Sequence, residues 1–420
     1  MAEQSAAGSE SPVKSDVSLT QGIEPSNLKP SISTFRRIIE NNYGKNLRLN
    51  VMTGRPELYD RFAHTWKEWT DVNDAQMRLW FQSNYGLYHE KMLRDALQIH
   101  FEFHKVNPLT EILDSLVWDG QSRIHSFLHD ILGCDDTPYY REVSRLIFAG
   151  GIHRAYRPGC KFDDMIVLVG KQGGGKSTVV RWLNMDDSFF REIKVITGKE
   201  SVEALRGVWI AEMAELMAMT RVKEAEAVKA FITAQEDSYR PPYERHVRTI
   251  PRRCIFIGTT NNPLFLSDRT GNRRFYPVSC KASGYDVLSR ETEIREYISQ
   301  CWAEAITLYK QDELKPFADQ TVISTIRDKQ DAAMEDDWRV GAIQQYLETF
   351  KRQPRDTVSI IELWHCALDV AEEIKPQRKD SIEISQILLS IGGWKRAEHT
   401  SMTRWGKQKI YVKDLPYYPF

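Results

Sequence analysis

Apolar positions in the first third of the chain recur at helical spacing. Phe35, Ile38 and Ile39 form one stripe, and Met92, Leu93, Ala96, Leu97 and Ile99 another, so the reading over 31–150 is a mostly helical domain. Asn107-Pro108 and Trp118-Asp119-Gly120 punctuate it as turns, and a further helical run is expected to end near Gly150-Gly151. The pattern then changes. Met165 to Val169 is an unbroken apolar run of strand length between an acidic pair, Asp163-Asp164, and a glycine-rich loop, as a buried parallel strand would be. Shorter apolar runs at Val208 to Ile210, Cys254 to Ile257 and Tyr276 to Val278 each abut polar residues, which is the pattern of a doubly wound sheet with its ligand edge at the strand ends.

These runs define an α/β core over 151–280. Amphipathic charged stretches at Glu291 to Tyr309 and Val322 to Phe350 then read as a helical lid over 281–352. Helix-like runs at Ile360 to Ala371 and Ile382 to Ile391, followed by strand-like ends over Trp394 to Val412, suggest a small winged-helix-like module over 353–420. The opening stretch, 1–30, is rich in Ser, Ala, Glu and Pro and reads as a disordered tail without the apolar core of a signal peptide.

Composition narrows the class without choosing a function. Hydrophobic residues make up 41% of the 420 and charged ones 27%, the balance of a soluble globular chain of two or three domains. The 57 basic residues nearly cancel the 58 acidic ones, so any nucleic-acid surface must be local. No apolar stretch is long enough to span a membrane. Six scattered cysteines without a Cys-x-x-Cys pair speak against a zinc ribbon or disulfide framework and fit a cytoplasmic setting.

The chemistry concentrates after the first apolar strand. Gly170-Lys171-Gln172-Gly173-Gly174-Gly175-Lys176-Ser177 fits G-x-x-x-x-G-K-[ST] in full, between a strand and a helix that opens near Ser177. Glycines let successive N–H groups point at phosphate oxygens, and the helix start adds partial positive charge. Lys176 is expected to reach the β- and γ-phosphates of ATP. Ser177 would place its hydroxyl on Mg²⁺, with Thr178 supporting the helix start. Such a loop needs a carboxylate from a neighbouring strand to hold the metal and orient water. Glu212, and Glu215 one turn later, are the candidates, with the division between them open. Asn261, at the end of the next apolar run, is the choice for a γ-phosphate or water sensor, although Asn262-Pro263 is also compatible with a plain turn. Arg273 and Arg274 are the candidates for a guanidinium that meets the phosphoryl group from a neighbouring subunit.

Two basic and aromatic stretches are candidates for DNA contact. One contains Lys229, Arg240, Tyr243, Arg245 and Arg248, with Arg240 and Arg253 alternatively serving ATP; the other contains Lys407 and Lys409 near Trp394, Trp405 and Tyr411. Both are interrupted or flanked by residues that suit a solvated loop or hairpin equally well. The pairs His100/His104 and His125/His129 fall at helical spacing with no third ligand nearby in sequence, and read as structural.

Taken together, these residues resemble the virulence-associated E family, found on phages and mobile genomic islands and allied to superfamily three helicases and AAA+ ATPases. The likeness runs from about Leu47 to Phe275. It is carried by Trp69-Thr70-Asp71, Asn107-Pro108, Trp118-Asp119-Gly120 with Arg123, and Arg154 with Pro158-Gly159-Cys160-Lys161. It continues through the glycine loop, Trp209-Ile210-Ala211-Glu212, Tyr239-Arg240-Pro241-Pro242-Tyr243, Gly258-Thr259-Thr260-Asn261 and Gly271-Asn272-Arg273-Arg274-Phe275. The resemblance implies an ATP-driven DNA helicase or replication initiator that assembles as a ring, such as a hexamer, with ATP between subunits. Relatives often carry an amino-terminal primase domain, for which this chain leaves no room, so a separate primase partner is expected. A non-translocating loader that remodels an origin, and a defence or signalling NTPase, are the alternative readings.

Overall fold

The computed structural model describes residues 28–214, 222–239, 248–266, 272–334, 338–351 and 355–413. They fall into two compact units, one drawn from 1–263 with 270–330 and the other from 264–269 with 331–420.

The first unit begins with α1 (Ile32–Tyr43), capped by the Ser31 hydroxyl accepting from the Thr34 N–H. Strands β1 (Leu47–Asn50), β2 (Arg55–Asp60) and β3 (Thr65–Glu68) follow, then α2 (Asp71–Tyr85), α3 (Glu90–Phe103) and the short β4 (Lys105–Val106). The strands form a small sheet in the order β3-β2-β1-β4 within a segment that is otherwise mostly helical, as its pattern suggested; the sheet itself was not announced by the sequence. The strands are short, and β2 and β3 are charged and largely solvated, so they lack the apolar alternation that marks a strand. Behind the sheet, Phe35, Ile38 and Ile39 of α1 pack with Phe81, Leu93, Ala96 and Leu97 in a core of their own.

Next come α4 (Pro108–Ser115), α5 (Phe127–Leu132) and α6 (Pro138–Tyr156). Helix α6 does not end at Gly150-Gly151, as its sequence suggested. It continues for another turn and a half, buried on nearly every side. The glycines are there for clearance: a Cβ on Gly151 would lie 2.5 Å from the Trp302 ring, and one on Gly150 2.3 Å from Phe162.

The central sheet is built from β5 (Met165–Val169), β6 (Phe190–Glu192), β7 (Ile210–Ala214), β10 (Ile255–Thr260) and β11 (Phe275–Ser279). Its order is β11-β5-β10-β7-β6, and every pairing is parallel. The connecting elements are α7 (Lys176–Leu183), α8 (Gly198–Ala204) and α9 (Val222–Thr233), with the antiparallel pair β8 (Glu236–Tyr239) and β9 (Arg248–Pro251) before β10. Every residue of β5 and β10 is buried, which explains why their sequences read as continuous apolar runs.

After the sheet come α10 (Gly284–Ser289), α11 (Glu291–Lys310) and α12 (Ile323–Ala332). Ile294, Ile298, Cys301, Trp302 and Ala305 of α11 belong to the main core, where Trp302 meets Trp209 at 4.3 Å between ring centroids. The amphipathic stripe of this helix is satisfied by packing against α6, α4 and α7. Glu304, only 2% exposed, accepts from the Ser122 hydroxyl and from the N–H groups of Arg123 and Ile124, which fastens the Trp118-Asp119-Gly120 turn to α11.

The second unit contains α13 (Trp338–Glu348), β12 (Thr357–Ser359), α14 (Ile360–Glu362), α15 (Arg378–Ile391), β13 (Trp394–Thr403) and β14 (Gly406–Lys413). The stretch after α14 winds into a wide helical turn over Leu363–Ala367 and stops, so the helix expected through Ala371 is shorter than its pattern suggested. Its three strands pair antiparallel in the order β12-β14-β13 over a core of Ile343, Leu363, Ile384 and Leu388.

Gly151→Ala should destabilise the protein in urea unfolding by about 1–3 kcal/mol through overpacking against Trp302. A purely local helix effect would instead stabilise it by roughly 1 kcal/mol.

Candidate functional site

The loop between β5 and α7 is shaped by glycines where the backbone requires them. Gly173 and Gly175 adopt φ of +75° and +77°, a left-handed conformation that other residues resist. A Cβ on Gly175 would also press within 2.7 Å of Val287 in α10, and a Cβ on Gly284 would fall 1.8 Å from the Gly173 carbonyl oxygen. Bare backbone at 175 and 284 therefore lets α10 rest directly on the loop.

Lys176 opens α7 and is 8% exposed. Its ammonium group donates to the Gly170 and Lys171 carbonyls, each at 2.8 Å, so the amine is folded into its own loop. Burial lowers its pKa below the ordinary lysine value, against the opposing pull of Cys280 and Glu212.

The carboxylate opposite the loop is Glu212. The sequence put it beyond a strand ending at Ile210; instead Ile210 begins β7, and Glu212 is mid-strand. The misplacement has a physical source. Val208 and Trp209 are apolar because they are packed, with the Trp209 indole donating to the Gly151 carbonyl at 2.9 Å, and they precede the ladder. Asn184, completely buried, sets the register by accepting from the Ile210 N–H at 2.9 Å and donating to the Val180 carbonyl at 3.1 Å, which joins the end of α7 to the start of β7. Glu212 is 3% exposed, and its Oε1 accepts from the Ser177 hydroxyl at 2.5 Å and from the Thr259 hydroxyl at 2.6 Å. Sequence reasoning missed Thr259. Its signal was present: a hydroxyl two residues before Asn261, on the strand between β5 and β7.

These groups open on a cavity of about 350 Å³, lined by Gln172 to Thr178, Ala214, Thr259, Thr260 and Asn261, with Gly284 and Leu288 of α10 along one side. Asn261 thus reaches the same space as the glycine loop. Glu215 lies outside the described residues, directly after Ala214 at the cavity wall.

Arg273 and Arg274 are not brought to the cavity. They form a 3-10 turn just before β11, and the register Phe275 with Met165 places them at the edge where the parallel strands begin. The glycine loop leaves β5 at the other edge, about 15 Å away along a strand of this length. Beside the arginines, Asp164 has its pKa pushed up to about 7, chiefly by burial and then by Asp163, while a hydrogen bond with Tyr276 and the charges of Arg273 and Arg274 oppose the rise.

The proposed DNA contacts are dispersed. Arg240, Tyr243 and Arg245 lie outside the described residues, and Arg248 is on β9. Lys229 is 6% exposed with Glu226 3.5 Å from its ammonium group, so burial removes it from any exposed basic face, a correction to its candidacy. Arg253 lines a different cavity, beside Arg252 and Cys254 and across from Met52 and Thr53 of the amino-terminal segment, rather than the one at the glycine loop. Lys407 and Lys409 are both exposed and alternate along β14, so they share one face of that strand.

The model of the virulence-associated protein E-like domain matches residues 113–335, more than half of the chain. The chain belongs to this family. The matched stretch contains the glycine loop, Glu212, Thr259, Asn261 and both arginines. Among solved structures, the A form apo structure of the NrS-1 C-terminal region is similar, with a TM-score of 0.51 at 11% identity over 91% of this chain and 100% of that one. A further apo structure of the same region gives 0.50 at 10% identity over 92% and 100%. At such identities the likeness is one of fold. No curated protein matches the chain in sequence. Among the described residues no helix is long and apolar enough to cross a membrane.

Because Asp164 is held protonated above its ordinary range, its stabilising contribution is complete below pH 3.8 and is lost as the pH rises through about 7. The stability of the wild type relative to Asp164→Asn should therefore fall between those limits by on the order of a few kcal/mol in urea titrations at stepped pH. A constant difference would show that burial does not govern this group.

Proposed function

We propose that the chain is an ATP-hydrolysing DNA helicase or replication initiator of a phage or mobile element, acting as a ring with ATP held between subunits. The observation that carries this reading is the convergence of Lys176 and Ser177 at one cavity, with the buried Glu212 carboxylate bonded to the Ser177 and Thr259 hydroxyls that line it.

A triphosphate entering the cavity would meet the N–H groups of Gly173 to Ser177 and the start of α7. Lys176 would exchange the Gly170 and Lys171 carbonyls for phosphate oxygens, a small movement for an amine already at the loop. Ser177 Oγ and Glu212 supply the oxygen donors that Mg²⁺ prefers, so the residues present fit the ion. Bound there, Mg²⁺ would neutralise charge on the β- and γ-phosphates. Glu212 or Glu215 would take up the proton of the attacking water, and Asn261 would orient that water against the γ-phosphate. Arg273 and Arg274, standing at the far edge of their own sheet, would serve the site of the adjacent subunit.

DNA enters through the family's kinship with replicative helicases. The second unit, read as a winged-helix-like module, would present Lys407 and Lys409 to duplex phosphates. That exposed pair also favours a second reading, a loader that remodels an origin without translocating, and a separate primase would complete either machine.

Hydrolysis assays test the scheme. Lys176→Ala should lower ATP turnover by about 100-fold or more, as loss of a charge-stabilising donor does. Single-stranded DNA should accelerate the wild type if it translocates; hydrolysis without strand displacement would indicate the loader, and hydrolysis indifferent to DNA would count against both.

Arginine supply from a neighbour is testable by mixing. Arg273→Ala/Arg274→Ala chains should lose about 1,000-fold in turnover alone, and should regain activity when combined with Lys176→Ala chains, because mixed interfaces then hold one intact lysine and one intact arginine pair. No recovery on mixing would place the arginines outside a shared site.

A further inference from the structure

The pair His100 and His104 acquires in the fold the third ligand that its sequence neighbourhood lacked. His100 is in the last turn of α3 and His104 caps it, so the spacing of four residues puts both imidazoles on one face of the helix. Helix α1 packs along α3 and brings Glu40 to them. Its carboxylate oxygens lie 3.2 Å from His100 Nδ1 and 3.3 Å from His104 Nε2. The three donor atoms all lie within 4.8 Å of one another, so small side-chain shifts would bring all three to the bond lengths of about 2.0–2.2 Å that one ion needs.

Two features distinguish this cluster from an ordinary ion pair. His104 Nδ1 is engaged with the His100 backbone carbonyl at 2.9 Å, which assigns the proton to that nitrogen and leaves Nε2 with its lone pair toward Glu40. Metal-bound histidines are held in this way, by a hydrogen bond at the nitrogen that is not a ligand. His100, in contrast, is completely buried, with its Nδ1 turned to the Glu40 carboxylate at 3.2 Å.

We propose that Glu40, His100 and His104 bind a zinc-class divalent ion, with water completing the shell. Two imidazoles and one carboxylate suit zinc or a neighbouring late transition metal, and select against Ca²⁺ and Mg²⁺, which prefer oxygen throughout. The two rings stack at 4.0 Å between centroids. Binding splays them, and His104 has room to move because it is at a helix end and partly exposed. The ion would staple α1 to α3 across the core of Phe35, Ile38, Ile39, Leu93 and Leu97. This site is independent of the ATP reading.

The full-length chain, stripped with a chelator and dialysed against Zn²⁺, should retain one more equivalent of zinc than either Glu40→Gln or His104→Ala by elemental analysis. Zinc should raise the melting temperature of the wild type and leave that of the variants unchanged, whereas Mg²⁺ should raise neither. Glu40→Gln preserves size at a half-exposed position, so its lost zinc cannot be ascribed to unfolding when its circular dichroism matches the wild type. Equal zinc content in wild type and variants, or a wild type that retains none, overturns the proposal.

Discussion

A buried carboxylate organises the centre of this protein. Glu212 is withdrawn from water in the middle of a parallel strand, where an unpaired charge would be expensive, and hydroxyls from two other elements meet it there. Ser177 comes from the first turn of α7, and Thr259 from the strand between β5 and β7. For these bonds to form, the glycine loop must end, α7 must start and β10 must extend in fixed register with β7. Asn184 enforces part of this by joining α7 to the start of β7, so the loop and the carboxylate are parts of one bonded framework.

Apolar packing determines where that framework can stand. The residues of β5 and β10 are buried, α6 and α11 close over the sheet, and Phe162 and the paired tryptophans fill the space left by Gly150 and Gly151 of α6. The cavity then opens at the edge where the strands end, as parallel sheets arrange their ligand sites. At the opposite edge Asp164 is kept in a raised state of protonation beside Arg273 and Arg274. One sheet thus presents different chemistry at its two ends, which is the arrangement a shared site between neighbouring subunits would require under the proposed function.

Much of the central sheet was legible in the residues because burial on both faces leaves a continuous apolar signature. Met165 to Val169 is the clearest case, and the glycine loop after it is marked by the residues its backbone conformation demands. Legibility failed where apolar character and pairing separate. Trp209 is apolar for packing and precedes its strand, which shifted Glu212 by half a strand. Gly150 and Gly151 resemble a helix end in sequence, yet they relieve crowding inside α6. Charged, half-solvated β2 and β3 carried no alternation to detect. Lys229 appeared to belong to a basic face because composition does not report burial, and Glu40 could not be joined to His100 and His104 until α1 was seen packed along α3.

Under the proposed function, Ser177 and Glu212 make the glycine-rich loop a site for a metal-bound triphosphate. Calorimetric titration of ATP into the wild type and into Ser177→Ala, with and without Mg²⁺, tests it most directly. Mg²⁺ should tighten ATP binding to the wild type and have little effect on the variant, while both remain folded. Equal affinities in all four titrations, or no binding to the wild type at all, would contradict it.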